Sequence, residues 1–163
     1  MKLTLQIKLL PSIEQAESLK KTISVFNEAC NAISTIAWER RFFRQFNLHK
    51  EVYYAIKDTY GLSAQLVVRA ISKVADKKKQ RKFREFGAIT YDSRVLSYTA
   101  KQEASLSVIG GRIKVSYVCH HPELMQYAKG EADLLYIKGK FFLYQTIDIP
   151  DEDIEDCAEI IGV

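Results

Sequence analysis

The chain opens with a strict alternation of apolar and polar residues, which then gives way to a longer apolar period. Over residues 2–9 every second side chain is apolar, which predicts a β-strand that Pro11 ends. Ser12 and Gln15 next form a capping-box pattern, and apolar residues then recur at steps of three and four. This period predicts a long amphipathic helix that runs to about Phe43. The apolar positions of this helix are Ile13, Ala16, Leu19, Ile23, Phe26, Cys30, Ile33 and Ala37.

Two shorter helices are predicted to follow. One covers residues 49–60, and Gly61 fits the position just past its end. Ser63 caps the other helix, which then passes into a run of lysines and arginines that has no apolar face. The apolar positions of this third helix are Leu66, Val67, Ala70, Ile71 and Val74.

From about Ala88 the apolar period shortens to two, which is the period of a strand. Gly110-Gly111 and Lys138-Gly139-Lys140 each separate two such runs and predict β-hairpins. The six strands expected in this half cover residues 89–91, 95–98, 106–109, 112–118, 134–137 and 141–149.

The order of one strand, three helices and six strands favours an α+β fold. The simplest packing is a small antiparallel β-barrel of the oligonucleotide-binding type, built from residues 1–10 and 87–150. The three helices, in residues 11–86, are then an insertion after the first strand. Residues 151–163 are acidic and polar up to an aliphatic end, and we expect them to form a linker.

The composition is typical of a folded protein, with 47% hydrophobic and 27% charged residues in a chain of 163. No apolar stretch approaches the roughly 20 residues of a membrane span, and the alternating start lacks the apolar core of a signal peptide. The three cysteines are far apart and odd in number, which argues against a disulfide framework. We therefore expect a cytoplasmic protein that has no contact with a membrane.

The net charge of +4 conceals an uneven distribution. Seven acidic residues and no basic ones lie between Asp148 and the end of the sequence, so the rest of the chain has 24 basic residues against 13 acidic ones. An excess of eleven positive charges attracts polyanions, and nucleic acid is the commonest polyanion in the cytoplasm.

Three groups of cations are candidates for contact with nucleic acid. Seven of the twelve residues in 73–84 are basic, and Phe83 and Phe86 are interleaved as rings that can stack on bases. The second group, Arg40, Arg41 and Arg44, lies at the end of the first helix. The third group, Arg112 and Lys114, forms an exposed row on a predicted strand. Each group also has a purely structural explanation. The first can be a solvated helix end, the second can be favoured by the helix dipole, and the third can be ordinary surface charge. The candidate residues are Arg40, Arg41, Arg44, Lys73, Lys77, Lys78, Lys79, Arg81, Lys82, Arg84, Arg112 and Lys114.

No catalytic residue, metal ligand or cofactor site is expected. The sequence contains no GxSxG, P-loop, GxGxxG or HExxH motif. Cys119, His120 and His121 are adjacent, and neighbouring side chains on a strand point to opposite faces, so the three rarely bind one ion together. The carboxylates of residues 148–159 lie in the predicted linker, whereas a catalytic pair needs a rigid, partly buried setting.

Four segments carry a resemblance to a known family. Leu5–Gln15 contains a strand, a proline and a helix that opens near Glu-Gln, and Phe26–Ser34 has the Asn and Ala spacing of a first helix. Ser105–Val115 is a strand–turn–strand, and Ile160–Val163 is an aliphatic end. In this order the segments resemble the N-terminal region of TnpB/OrfB-type transposon-encoded RNA-guided nucleases, which are related to compact type V CRISPR effectors.

The resemblance implies a wedge barrel interrupted by a helical recognition insertion. In that family the two parts hold a guide RNA and help to read a short duplex DNA motif beside the target during transposition. It also implies a RuvC-like domain, with three carboxylates and a divalent metal, whose first catalytic Asp would follow Val163. None of those carboxylates is present, so we expect this chain to bind nucleic acid without being an enzyme.

Two other hypotheses are open at this point. One is a metal-dependent nuclease that is active in this form, although no triad or metal cluster supports it. The other is a protein-interaction or regulatory module without nucleic-acid function. In that case the long amphipathic helix pairs with a partner, or with itself in a homodimer.

Overall fold

The chain begins with one long strand, continues through three helices and ends with six further strands and short helical turns. The computed structural model describes residues 1–162; Val163, the last residue of the expected lead-in to a nuclease domain, lies outside the described residues. The strands are β1 Lys2–Leu10, β2 Ile89–Tyr91, β3 Leu96–Tyr98, β4 Glu103–Val108, β5 Gly111–Cys119, β6 Ala132–Ile137 and β7 Lys140–Asp148. The helices are α1 Ile13–Arg40, α2 Gln45–Tyr60, α3 Ala64–Asp76 and α4 Ala158–Ile161, with 3₁₀ turns at Pro122–Tyr127 and Asp151–Asp153.

Seven antiparallel strands form one sheet in the order β2-β6-β7-β1-β5-β4-β3. β2 and β3 stand at opposite ends of that order, yet only residues 92–95 separate them in sequence, a link that spans at most about 18 Å. The two edges therefore lie close together, and the Tyr91 hydroxyl of β2 donates to the Ser107 carbonyl of β4 at 2.7 Å. The sheet is a nearly closed barrel, which confirms the predicted α+β fold with helices inserted after the first strand.

The alternation at the start of the chain supplies the barrel interior. Leu5, Ile7 and Leu9 are at most 6% exposed, as the period of two predicts. Gln145 is a polar residue in the same layer. Its amide donates to three main-chain carbonyls, and its oxygen accepts from the Tyr98 hydroxyl at 2.8 Å. The amide group is therefore satisfied, as burial in an apolar core requires.

The amphipathic stripe predicted for α1 forms the core of the helical layer. All of its positions from Leu19 to Ala37 are completely buried, whereas Ile13 in the first turn is 83% exposed. The capping box between Ser12 and Gln15 is present, so the helix begins where the sequence predicts.

The helix boundaries differ from prediction at the far end of this layer. α1 ends at Arg40 rather than near Phe43, because Arg41 adopts a left-handed conformation with φ of 56°. α2 begins at Gln45 instead of residue 49. The connection between the two helices is therefore short, and it places arginines at the end of one helix and the start of the next.

Residues 151–162 contain short helical turns, where the sequence predicted a linker. Cys157 is 6% exposed, and Ile154, three residues earlier, packs against the core. The Tyr127 hydroxyl donates to Asp153 at 3.0 Å and fixes the segment further. Apolar residues at a step of three thus give even this acidic stretch a face to bury. Within residues 1–162, no helix has the combination of length and hydropathy that crossing a bilayer demands.

Candidate nucleic-acid interface

The lysine- and arginine-rich segment of residues 77–88, termed the basic loop, returns from the end of α3 to β2 along the side of α1. Polar residues at steps of four and three on α1 bind its main chain. The Asn31 side chain accepts from the Phe83 amide at 2.7 Å and donates to the Phe83 carbonyl at 3.0 Å. The Ser34 hydroxyl donates to the Arg81 carbonyl at 2.7 Å. The loop is therefore held through its backbone.

Asn27 holds the other end of the basic loop. This fully buried side chain donates to the carbonyls of Glu85 and Gly87 at 3.2 and 2.9 Å. A side chain at Gly87 would bring its Cβ to 3.3 Å from the Arg84 carbonyl oxygen and 3.5 Å from the Asn27 Oδ1. A side chain at this position would therefore be tight against the loop's own backbone and in van der Waals contact with Asn27 on α1.

Hydrogen bonds hold the main chain of the basic loop against α1, and the charged side chains of the loop face solvent. Arg81, Lys82 and Arg84 are exposed, whereas Phe83 between them is 5% exposed. The expectation that Phe83 offers its ring to a base is therefore wrong, since the ring anchors the loop in the core. Phe86 is 37% exposed.

Trp38 joins the basic loop to the connection between α1 and α2. The Arg81 guanidinium lies 4.8 Å from the centre of the Trp38 ring, and the Phe43 ring meets Trp38 edge to face with ring centres 5.4 Å apart. The Ser72 hydroxyl on α3 also donates to Gln45, the first residue of α2. Two cation clusters that are far apart in sequence therefore meet at one end of the helical layer.

We call this region the cationic surface. A groove of about 400 Å³ opens beside it, between α1 and the basic loop, with Trp38 and Arg81 in its wall. The exposed cations of the surface are Arg41, Arg44, Lys77, Lys78, Lys79, Arg81, Lys82 and Arg84.

Few carboxylates neutralise these cations directly. Among residues 1–162, only Arg40 and Arg69 of the 24 basic side chains form an ion pair within 4.0 Å of a carboxylate. Arg40 pairs with Glu51 at 3.0 Å, so this predicted contact residue already has a partner. Glu85, the acidic residue within the basic loop, accepts from the Ser24 hydroxyl at 3.0 Å. The cationic surface therefore keeps its positive charge available to an external anion.

Lys73, although it begins the basic run in sequence, is half-buried and has partners within the protein. Its ammonium donates to Asn27 at 2.9 Å and to the Ala88 carbonyl at 2.8 Å, and it lies over the Phe26 and Phe83 rings. Burial is the main cause that lowers the pKa of Lys73 below its usual value. Lys73 therefore supports the loop from behind and is not part of the cationic surface.

The row on β5 is separate from the cationic surface. The Arg112 guanidinium donates to the Ser105 hydroxyl at 2.8 Å and to the Arg94 carbonyl at 3.3 Å, so its donors are partly used. The Lys114 carbonyl accepts from Gln15, at the start of α1. Trp38 lies 23 residues further along this helix, which corresponds to about 35 Å. Both side chains are exposed, as predicted, but the fold does not bring them to the cationic surface.

Neither models of known protein families nor curated protein sequences gave a match to this chain. The cationic surface itself is therefore the basis for inferring function.

Within residues 1–162, no group of three or more His, Cys, Asp or Glu side chains is placed to hold a metal ion. His120 and His121 are exposed, and the thiols of Cys30 and Cys157 are buried. Burial raises the pKa of Cys30 to about 12, which keeps this thiol protonated and unreactive.

Sequence reasoning from charge missed the residues that organise the site, namely Asn27, Asn31 and Ser34. Each follows a residue of the buried α1 stripe by one position and so lies at its edge. Three hydrogen-bonding side chains beside an apolar stripe, on one helical face, are the signal that a second segment lies there. The sequence of α1 does not show which segment packs there, because residues 81–87 lie about fifty to sixty positions away along the chain.

Proposed function

We propose that this protein binds nucleic acid through the cationic surface, with phosphate backbones as the primary ligand. The observation that carries the proposal is the basic loop, whose main chain is bound to α1 while its cations are exposed and unpaired with carboxylates. A loop held in this way loses little conformational entropy on binding. Lysine and arginine side chains that contact phosphates release counterions, which drives association.

The proposal extends to the family that the sequence resembles. A barrel interrupted by a helical insertion is the plan of the wedge and recognition regions of TnpB/OrfB-type proteins, so we propose guide RNA and target-adjacent duplex DNA as the ligands. The codons after that for Val163 provide a separate test. An Asp and a Gly in that stretch, with acidic motifs later, support the family, and their absence contradicts it.

Titration of the purified protein with a structured RNA and with duplex DNA tests the binding proposal. Fluorescence anisotropy of labelled nucleic acid, measured at several salt concentrations, gives the slope of log affinity against log salt. Each neutralised phosphate contributes about −0.7 to −0.9. We expect a slope steeper than about −3, and a flat salt response would contradict the proposal. Lys101→Gln, an exposed substitution on the barrel, is the matched control and should leave the slope within about one unit.

The single tryptophan gives a second, independent signal. Trp38 lies beneath Arg81 at the edge of the groove, so phosphate contact with Arg81 should change the tryptophan emission. Saturation of this change at the same concentration as the anisotropy change places the ligand on the cationic surface. An anisotropy change without any change in emission places the ligand elsewhere on the molecule. Sedimentation of the free protein over a range of concentrations tests the competing hypothesis of a homodimer.

A further inference from the structure

The outer face of α2 carries an alternation of aromatic rings and lysines. Phe46, Lys50, Tyr53 and Lys57 follow one another at steps of four, three and four, which places them on one face of the helix. The opposite face supplies the core through Leu48, Val52 and Ile56. We call these four residues, together with Tyr54 beside them, the aromatic–lysine stripe.

Two rings of this stripe, those of Phe46 and Tyr54, are exposed, whereas Tyr53 is half-buried and packs against the core. Phe46 is 78% exposed and Tyr54 is 77% exposed. Two rings this exposed, about two turns apart on one helix, give α2 an apolar surface that is free to contact a ligand.

The tyrosines of the stripe are held in order by their neighbours. Tyr53 stacks on His49 with ring centres 4.5 Å apart and planes 17° apart, and Tyr54 meets Tyr53 edge to face at 5.2 Å. The Lys57 ammonium lies 6.0 Å from the centre of the Tyr53 ring. The stripe is therefore a partly preorganised surface that offers ring faces and positive charge together.

The stripe is continuous with the cationic surface. Phe46 lies two residues after Arg44, the N-cap of α2, which belongs to that surface. Glu51, an acidic residue of the same helix, is already paired with Arg40. The stripe itself carries only the charge of its lysines, and Asp58, the other acidic residue of α2, lies one turn beyond Tyr54. A polyanion lying on the cationic surface can therefore extend onto the first two turns of α2, as far as Tyr54.

We propose that the aromatic–lysine stripe binds unpaired nucleotides of a single-stranded segment, with bases stacked on Phe46 and Tyr54 and phosphates near Lys50 and Lys57. This inference rests on the proposed function and specifies a class of ligand for a second part of the site. Aromatic rings stack on bases of any sequence, whereas a duplex hides its base faces. Tyr54 follows Phe46 by eight positions, a rise of about 12 Å along the helix, which is close to three or four nucleotide steps of a stacked strand.

A comparison of single-stranded and duplex ligands tests the proposal. Anisotropy titrations use a labelled fifteen-nucleotide oligo(dT) and a DNA hairpin duplex with the same number of phosphates, at one salt concentration. We expect the double variant Phe46→Ala/Tyr54→Ala to bind oligo(dT) at least about tenfold more weakly and the duplex less than about twofold more weakly. The salt slope should not change, because no charge is removed.

Two controls keep the result specific to the rings. Ile13→Ala removes an apolar side chain that is equally exposed, at the far end of α1, and should leave both affinities unchanged. Phe46→Tyr/Tyr54→Phe keeps both rings and should retain the affinity for oligo(dT). Circular dichroism of each variant shows whether the fold is intact.

The outcomes separate this inference from the proposed function. If the wild-type protein binds duplex, and the alanine variant binds oligo(dT) as well as the wild type or loses both ligands equally, the stacking proposal is overturned alone. If the wild type binds neither ligand, the proposed function fails and the stacking proposal fails with it. If the alanine variant only abolishes self-association in sedimentation experiments, the stripe is a protein interface, and the proposal is again overturned.

Discussion

The basic loop and strand β5 both carry cations that the sequence singles out, but the fold satisfies different parts of the two segments. In the basic loop, side chains of α1 bind the main chain, and Arg81 and Arg84 are left exposed. In β5 the sheet satisfies the main chain, and the Arg112 guanidinium is bound by Ser105 and the Arg94 carbonyl. The availability of a cation therefore depends on its neighbours more than on its exposure.

Lys73, a few residues before the basic loop, also shows that the neighbours of a cation decide whether it is available to a ligand. It belongs to the same run of lysines and arginines, but its ammonium is bound by Asn27 and the Ala88 carbonyl. A half-buried cation whose hydrogen bonds are used within the protein contributes to the position of the loop and is a poor ligand for phosphate. The difference between support and contact gives predictions that can be tested by variants and by pH.

The largest expected effect is a loss of stability at alkaline pH in both regions. Burial raises the pKa of Cys30, behind the basic loop, from 9.0 to about 12, and it also raises the pKa values of Tyr91 and Tyr98 in the barrel above 10.0. A group with a raised pKa in the folded state holds its proton there while the unfolded chain loses it. Stability should therefore be constant below about pH 9 and should fall as pH rises above it, by about 1.4 kcal/mol per pH unit for each such group.

Urea unfolding between pH 8 and 11 measures this decline. Lys73 acts in the opposite sense, because its lowered pKa makes folding more favourable as pH rises towards 10.5, but it is one group against several. Cys30→Ala should be less stable at pH 8 and should lose less stability than the wild type between pH 9 and 11. Equal stability of the wild type at pH 8 and pH 11 would contradict the assignment of these groups as buried.

The second prediction concerns the support of the basic loop. Asn27→Ala removes the donor to the carbonyls of Glu85 and Gly87 and leaves the Lys73 ammonium with the Ala88 carbonyl as its remaining acceptor, so the free energy of unfolding should fall by about 3 kcal/mol. Urea denaturation measures the change. Asn47→Ala, at an exposed position on α2, is the matched control and should stay within about 0.5 kcal/mol of the wild type. A loss below about 1 kcal/mol for Asn27→Ala would show that the loop is held by other contacts.

The smallest effects should differ in kind between the two cationic regions: a substitution in the basic loop should affect binding, and one on β5 should affect stability. Arg84→Gln should leave stability unchanged and weaken nucleic-acid binding about fivefold near 0.15 M salt, as expected for one lost phosphate contact. Arg112→Gln should reduce stability by about 0.5–1 kcal/mol through its lost hydrogen bonds and change affinity less than about twofold. Thermal melts and anisotropy titrations on the two variants measure both quantities. The reverse assignment of effects would place the interface on β5.

Much of the fold could be predicted because its signals are local. The α1 stripe follows from apolar spacing, and the β6–β7 hairpin follows from Lys138-Gly139, whose φ angles of 50° and 79° fit a two-residue turn. The early end of α1 could not be predicted, since the left-handed conformation at Arg41 has no glycine to signal it. The order of residues 151–162 was missed because their acidic composition outweighed the spacing of Ile154 and Cys157.

The candidate site was predictable only in part. Charge density identified the basic loop and the arginines after α1, but it could not distinguish the free Arg84 from the bound Lys73. That distinction depends on Asn27, which is close to Gly87 in space and sixty residues away in sequence. For the same reason the sequence could not show that Phe83 faces inward while Phe46 faces solvent.

The measurement that tests the central claim most directly is the salt dependence of binding for two variants that remove equal charge. One variant replaces Arg81, Lys82 and Arg84 of the basic loop by Gln, and the other replaces Arg94, Arg112 and Lys114 of the barrel by Gln. The basic-loop variant should have a log–log slope less steep than the wild type by about 2 to 3 units, and the barrel variant should differ from the wild type by less than about 0.5. Equal flattening in both variants, or no flattening in the basic-loop variant, would contradict binding at the cationic surface.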